Sequence, residues 1–232
     1  MIPYDGVTLA AERRLNPSLA ERLRTETREL HSTAERSTLM SALMGGRMER
    51  QAYCALLGNL HAIYAALEPA LARHARRPMV AAVFQPALVR TGALEHDLRV
   101  LHGPAWVDEL ALKPAALAYV DQLRDLDASQ PDLLLAHAYV RYLGDLSGGQ
   151  MLRNVVAKNP MLAGEAAVAF YDFGDLVAAR GLAQAFRSGL AAVSVVSAMS
   201  VMSADDRLAD ALVDEARLAF ELHRQLFEEL AG

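Results

Sequence analysis

The sequence feature that most constrains the fold is a long apolar segment, 131–158, with three glycines in its middle. Its composition is typical of a buried helix, yet Gly144, Gly148 and Gly149 lie within six residues of one another. Each glycine inside a helix costs about 1 kcal/mol relative to alanine. The three together indicate a backbone that must kink, or that must lie close to a flat partner.

The same segment contains the letters LSGGQ at 146–150, the signature peptide of ABC-type ATPases. Such an ATPase also needs a phosphate-binding loop of the form GxxxxGK[ST]. The chain has two lysines, Lys113 and Lys158, and neither follows a glycine. The nucleotide interpretation therefore fails, and the glycines need another partner.

Helix-forming residues dominate the rest of the chain, and alternating strand patterns are rare. Ser18 and Glu21 form a predicted capping box at the start of the first helix, and Ser203 is the predicted cap of the last. The predicted helices are 18–35, 48–74, 86–102, 114–127, 131–158, 175–197 and 204–230. Because the connections are short, we expect one all-α domain over residues 1–232, a multi-helix bundle in which 1–16 is irregular.

Charge and composition exclude several classes of function. A net charge of -5 and a pI near 5.8 argue against a general nucleic-acid binder. Cys54 is the single cysteine, so neither an intrachain disulfide nor a cysteine-rich metal site is expected. The apolar run 190–202 is too short to span a bilayer, and neither end reads as a signal peptide or a hydrophobic tail. We expect a soluble, cytoplasmic protein without a membrane partner.

The first predicted helix carries a spaced set of polar residues: Arg24, Arg28, His31 and Glu35. Their spacing places all four on one helical face. Two arginines there can hold a dianionic ligand and the histidine a metal, while Glu35 accepts the second imidazole N–H. The alternative is an ordinary solvated face with ion pairs between neighbouring turns.

The other histidines do not form recognisable metal motifs. None has glutamate three positions before it, as the helical di-iron proteins require, and no HExxH zinc motif occurs. Ser147 lacks the GxSxG context of a nucleophile. We interpret the remaining histidines as surface residues or satisfied core residues: His61, His74, His96, His102, His137 and His223.

A helix with one ligating histidine and a helix rich in glycine suit a flat tetrapyrrole held between them. The imidazole would bind iron on one side of the ring. On the other side glycine would let the backbone approach the ring closely.

Five blocks carry a resemblance to a known family: LHSTAE at 30–35, IYAALE at 63–68, ALEHDL at 93–98, AHAYVRYLGDLSGGQ at 136–150 and QLFEEL at 225–230. Through them the chain resembles the heme oxygenase family over almost its full length, in a soluble, bacterial-type form. The central block is highly specific when it occurs together with the spaced histidine. The resemblance implies a heme held between a proximal helix and a glycine-kinked distal helix.

The resemblance also implies a role for each site residue. His31 is the proximal iron ligand, Glu35 orients it, and Gly144 and Gly148 contact the distal heme face. Asp145 anchors a water network beside bound dioxygen. The residues implied to assist Asp145 are Tyr64, Tyr119 and Arg141.

The heme propionates are implied to lie near basic and phenolic side chains, namely Tyr139, Arg187, Arg24 and Arg28. Two positions depart from better-known relatives. Ala183 replaces a further basic residue that some relatives carry one turn before Arg187. His223 stands where some have asparagine, and a titratable group there could alter proton delivery.

The activity implied by the resemblance is oxidative cleavage of heme b, which is both cofactor and substrate. Dioxygen and electrons from a ferredoxin or a flavoprotein reductase would open the ring to biliverdin, carbon monoxide and ferrous iron. We expect a monomer or a weak dimer. The alternatives are a non-catalytic heme carrier or sensor on the same fold, a non-heme relative of the helical superfamily, and a helical interaction module.

Overall fold

The computed structural model describes residues 17–162, 164–197 and 202–232, and this part of the chain is built from α-helices and short 3-10 turns. The predicted all-α fold is confirmed, whereas the predicted irregular segment 1–16 lies outside the described residues. The α-helices are α1 (Leu19–Glu26), α2 (Arg28–Glu35), α3 (Thr38–Met44), α4 (Arg50–Arg73), α5 (Pro78–Ala81), α6 (Thr91–Leu101), α7 (Trp106–Glu109), α8 (Pro114–Ser129), α9 (Leu134–Lys158), α10 (Leu176–Ser197) and α11 (Met202–Ala231). None of the helices in these ranges is both long and apolar enough to cross a membrane.

The first predicted helix is two helices in the structure. Its capping box is confirmed, because the Ser18 hydroxyl accepts a hydrogen bond from the Glu21 N–H at 3.3 Å and the Glu21 carboxylate accepts one from the Ser18 N–H at 2.9 Å. The prediction of one helix to residue 35 is wrong, since α1 ends before Thr27 and α2 begins after it. The Thr27 hydroxyl donates to the Leu23 carbonyl at 2.6 Å, and such side-chain bonds bend helices. Arg24 therefore lies on α1, one helix before His31.

Three other predicted helix starts shift. Pro86 and Pro131 each begin a 3-10 turn rather than the α-helix that follows. Helix α6 begins only at Thr91, because the Glu68 carboxylate accepts the N–H groups of Arg90 and Thr91 at 2.5 and 3.1 Å and caps it there. Helix α11 begins at Met202, so the prediction that Ser203 is its cap is wrong.

Helix α9 lies at the centre of the bundle and positions the site. It packs against α3, α4, α8, α10 and α11, and its first nine residues are buried apart from half-buried Tyr139. Burial on all sides explains why this segment is apolar around most of its circumference. The helix continues through all three glycines without a break, and a bend at them stays a prediction. Helix α11 also packs against α1, α2 and α3, so it links α9 to the helix that carries His31.

Candidate active site

A stripe of polar residues runs along one buried face of α9. His137, Arg141 and Asp145 are spaced four residues apart, which places them on the same side of the helix. All three are buried, with exposed fractions of 0, 8 and 7%. Buried charged groups are costly unless they are paired and hydrogen-bonded, so each must have partners on neighbouring helices.

Asp145 has two such partners. The Tyr64 hydroxyl, from α4, donates a hydrogen bond to one carboxylate oxygen, and Arg141 Nη2 donates to the other at 3.0 Å. Burial raises the pKa of Asp145, while the positive charge of Arg141 and the Tyr64 hydrogen bond oppose that shift. The result is a buried carboxylate whose affinity for a proton is higher than usual.

Arg141 is hydrogen-bonded to each of the other members of this network. Its Nε donates to the Tyr64 hydroxyl at 3.1 Å and its Nη1 contacts Nε2 of His223 at 2.6 Å. Although burial disfavours the positive charge, Asp145 and Tyr64 raise the pKa of Arg141 above its usual value. The guanidinium is therefore a fixed cation that holds three side chains from three helices.

A second layer of buried polar groups lies beyond Arg141. His137 contacts the Glu215 carboxylate at 2.8 Å through Nε2 and the Tyr119 hydroxyl at 3.1 Å through Nδ1. Gln122 also donates to Glu215, at 2.9 Å. Burial raises the pKa of Glu215, but the hydrogen bond and charge of His137 and the bond from Gln122 lower it overall. His137 is thus a satisfied core residue, as interpreted from the sequence, and its hydrogen bonds join α9 to α8 and α11.

The three glycines of α9 have different surroundings. A Cβ on Gly144 would meet no atom within 4 Å, and one on Gly148 would meet only Leu152, at 4.0 Å. Gly149, in contrast, packs on Tyr171, which a Cβ would meet at 3.7 Å. Gly144 and Gly148 are one turn apart and therefore border open space on one face of α9. The three glycines therefore differ. Gly149 packs closely against protein, whereas Gly144 and Gly148 leave space for a partner.

His31 and Glu35 occupy the less covered face of α2. Nδ1 of His31 lies 3.6 Å from Glu35 Oε2, and the two side chains are 48 and 65% exposed. The imidazole also meets the edge of the Phe220 ring, with ring centroids 5.9 Å apart. None of the eight residues of α2 is buried, although Leu30 and Ala34 pack against the core. Because Glu35 faces Nδ1, Nε2 is the nitrogen available to a metal.

Positive charge gathers around Tyr139. Burial raises the pKa of Tyr139, and a hydrogen bond with Thr27 and the charges of Arg24 and Arg187 oppose that shift. The structure thus brings together three of the residues predicted to contact propionates. Arg28 lines a surface depression with Glu29, Ser32 and Thr33 of α2 and with Arg36, which follows that helix. Ala183, where some relatives carry a basic residue, is buried.

Sequence reasoning missed a further buried carboxylate near the site. Glu68, 5% exposed, accepts hydrogen bonds from Arg90 and Thr91 and lies 3.5 Å from the Tyr142 hydroxyl. Its partners are more than twenty residues away in sequence, so no local motif predicts it. His137 had a signal, because it lies one and two turns before Arg141 and Asp145. Glu215 and Gln122 had none.

These residues fit a heme on three counts. Open space borders Gly144 and Gly148, a half-exposed imidazole lies 3.6 Å from a carboxylate, and the charges of two arginines act on Tyr139. A flat dianion with a central iron has a complementary shape and charge.

Comparisons with known proteins agree with this geometry. A family model described as heme oxygenase matches residues 17–229. Heme oxygenase 1 of Synechocystis sp. is 36% identical over 218 residues, which cover 94% of this chain and 87% of that protein. Heme oxygenase 1 of Homo sapiens is 36% identical over 215 residues, covering 91% and 71%.

Solved structures give the same result. The crystal structure of heme oxygenase-2 from Synechocystis sp. PCC 6803 in complex with heme and NO superposes with a TM-score of 0.82 at 35% identity, over 92% of this chain and 85% of that one. The heme oxygenase of Leptospira interrogans superposes with a TM-score of 0.80 at 32% identity, over 92% and 100%. The match in fold, in sequence and in family model establishes that this chain belongs to the heme oxygenase family and is a heme-degrading oxidoreductase.

Proposed function

We propose that this chain opens heme to biliverdin, with release of carbon monoxide and ferrous iron, between His31 on α2 and the glycine face of α9. The observation that carries the proposal is the buried group of Asp145, Arg141 and Tyr64, beside the glycines that border open space. Membership of the heme oxygenase family supports it. When bound, heme supplies both the iron that activates dioxygen and the ring that is oxidised.

His31 is proposed to hold the iron through Nε2. Glu35, 3.6 Å from Nδ1, would accept the other N–H and so fix the imidazole tautomer and its orientation. The half-exposed position of His31 supports this role, because an iron ligand needs a nitrogen that faces the ligand rather than the protein core.

The propionates are proposed to lie beside Tyr139, Arg24 and Arg187. The charges of the two arginines act on the pKa of this phenol, so the three side chains form one positively charged region. Arg28, at the start of α2, would add charge on the same edge of the ring. Arginine pairs with carboxylates bidentately, which fixes the rotation of the ring as well as its position.

The distal face is proposed to contribute open space at its glycines and a water molecule held by Asp145. Gly144 and Gly148 carry no side chain, which leaves room for dioxygen between helix and ring. Asp145 would hold water beside the oxygen and exchange protons with it, because the raised pKa makes its carboxylate a stronger proton acceptor than an ordinary aspartate. Arg141 and Tyr64 would keep the carboxylate in place.

The reaction needs dioxygen and electrons from outside the protein. We propose a ferredoxin or a flavoprotein reductase as the donor, because each delivers single electrons to a heme. The cytoplasmic location inferred from the sequence stays a prediction. A non-catalytic carrier or sensor would need His31 and the arginines but not the buried Asp145 network, which favours turnover.

The test is aerobic incubation of the purified protein with one equivalent of heme and a reducing system. We expect the Soret band to decline while biliverdin absorption grows. A stable Soret band under these conditions would instead support a carrier. In His31→Ala we expect loss of turnover with weak residual heme binding, and an unchanged axial-histidine spectrum in that variant would remove His31 from the site.

A further inference from the structure

His223, on α11, is a buried histidine in direct contact with the Asp145 network. It is 3% exposed, and both ring nitrogens have partners. Nε2 lies 2.6 Å from Arg141 Nη1, and Nδ1 lies 3.2 Å from the Ala219 carbonyl oxygen. The side chain therefore bridges Arg141 and the backbone of its own helix.

The two partners determine where the imidazole carries its proton. A guanidinium has donors and no acceptor, so Nε2 must accept a hydrogen bond from Arg141. A carbonyl oxygen only accepts, so Nδ1 must carry the hydrogen. One neutral tautomer satisfies both contacts. A second proton on Nε2 would point at the Arg141 N–H and place two positive charges within hydrogen-bonding distance.

The surroundings of His223 reinforce the neutral form. The rings of Tyr119 and Phe227 meet it edge-on, with centroids 5.1 and 5.7 Å away. Burial first, then the charge of Arg141, lower the pKa of His223 well below its usual value, and the Ala219 hydrogen bond does not compensate. The titratable and charged groups that face it are Arg141, Tyr119 and, more distantly, His137.

Arg141 depends on this contact for its orientation. Nε and Nη2 donate to Tyr64 and Asp145, and Nη1 donates to His223. Without the third acceptor, Nη1 would be a buried donor with no partner, and such a group costs more than the bond it lost. The guanidinium would rotate to recover a hydrogen bond, and the carboxylate would move with it.

We propose that His223 is a positioning residue that stays neutral and, by accepting a hydrogen bond from Arg141, holds the guanidinium against Asp145 and Tyr64. The sequence-based expectation was different, since a titratable group at this position suggested altered proton delivery. His223 instead acts through Arg141 and passes no proton. Its effect on turnover rests on the proposed function, whereas its tautomer is a property of the heme-free protein.

The first test measures the tautomer directly. Long-range ¹H–¹⁵N correlation spectra of heme-free protein with ¹⁵N-labelled histidine distinguish the two neutral forms and the cation. We expect His223, assigned by its absence in His223→Gln, to keep the Nδ1–H form from about pH 8 to pH 5. Titration of His223 within this range, or an Nε2–H form at neutral pH, would overturn the proposal.

The second test separates positioning from mere packing. In His223→Gln the amide oxygen can reach the place of Nε2 and accept from Arg141, so turnover is largely retained. His223→Leu has a similar volume and no acceptor, so we expect biliverdin formation to slow on the order of tenfold while heme still binds. The matched control is His96→Gln, on the exposed surface of α6.

Equal turnover in His223→Leu and the wild type would also overturn the proposal, provided thermal unfolding shows both proteins folded. If His223→Leu does not fold, the spectra of the wild type decide alone. Failure of the proposed function looks different, because the wild-type protein itself would then form no biliverdin while the histidine spectra stayed as expected.

Discussion

At the scale of single residues, Asp145 shows how a charge is kept inside a helical core. Its carboxylate accepts hydrogen bonds from Tyr64 and Arg141, one on each oxygen. Removal of one member of such a buried pair typically costs about 3–5 kcal/mol, because the other charge is left alone. The site therefore combines a firmly held acid with neighbouring glycines that offer no side chain at all.

Gly148 allows a direct test of the open space on α9. Gly148→Ala should raise the free energy of unfolding of the heme-free protein by about 0.5–1 kcal/mol, since alanine favours a helix and its Cβ meets little. It should nevertheless weaken heme binding, because the methyl group enters the space proposed for the ring. Chemical denaturation and heme titration measure the two effects.

Gly92→Ala is the matched control for this substitution. Gly92 also lies in a helix, and a Cβ there would meet no atom within 4 Å. Unchanged heme binding is expected in Gly92→Ala. If Gly148→Ala bound heme as tightly as the wild type, the face of α9 at Gly144 and Gly148 would not border the heme.

At the scale of helices, the fold depends on contacts that join distant parts of the chain. The Glu68 carboxylate on α4 defines where α6 begins, and Thr27 divides α1 from α2 through a bond to Leu23. Helix α10, which carries Arg187, rests directly on the chain just after α5. A Cβ built on Gly189 would overlap the Ala82 carbonyl oxygen, so only glycine permits this approach.

Gly189→Ala should therefore push α10 away from α5. We expect the free energy of unfolding to fall by about 1–3 kcal/mol, the usual cost of overpacking. Heme affinity should fall as well, because Arg187 lies two residues earlier on the same helix. Gly181→Ala, in the same helix with open space around its Cβ position, should be neutral or slightly stabilising. Equal stability of the two variants would contradict the contact.

At the scale of the whole molecule, one buried polar network ties four helices together. Tyr64 comes from α4, Arg141 and Asp145 from α9, and His223 from α11. The ring of Tyr119, from α8, meets His223 edge-on, and its hydroxyl contacts His137. Because His223 contacts Arg141 directly and its pKa is lowered by folding, its protonation is coupled to folding.

The pH dependence of stability should reveal this coupling. The pKa of His223 is depressed in the folded protein, so its contribution to stability is complete above the unfolded pKa of about 6.5 and is lost as pH falls below it. The unfolded chain then binds a proton that the folded protein does not. The free energy of unfolding of the wild type should fall, relative to His223→Gln, by up to about 1.4 kcal/mol per pH unit below that point.

Denaturation of both proteins from about pH 7 to pH 5 measures the difference. The comparison isolates His223, since the raised pKa of Asp145 acts in the opposite direction in both proteins. A constant difference between wild type and His223→Gln across this range would mean that folding does not lower the pKa of His223, and would contradict this prediction.

Features that depend on local sequence patterns could be predicted here, whereas features that depend on tertiary contacts could not. Helical periodicity predicts α4, α8, α9 and α10 to within a few residues, and the Ser18 capping box is a local motif. The positions of Glu68 and Glu215 depend on partners from distant parts of the chain. The break at Thr27 depends on whether its hydroxyl bonds to the Leu23 carbonyl, which the sequence alone does not show. The sequence suggested that His223 matters, but only the positions of Arg141 and Ala219 define its protonation.

Single-turnover heme degradation in Asp145→Ala, with the exposed Asp125→Ala as control, tests the proposed role of Asp145. We predict that Asp145→Ala still binds heme with a histidine-ligated spectrum. Its ring opening should slow on the order of a hundredfold while oxidation of added peroxidase substrates increases, because the water beside the oxygen is no longer held. An undiminished yield of biliverdin in Asp145→Ala would contradict the account.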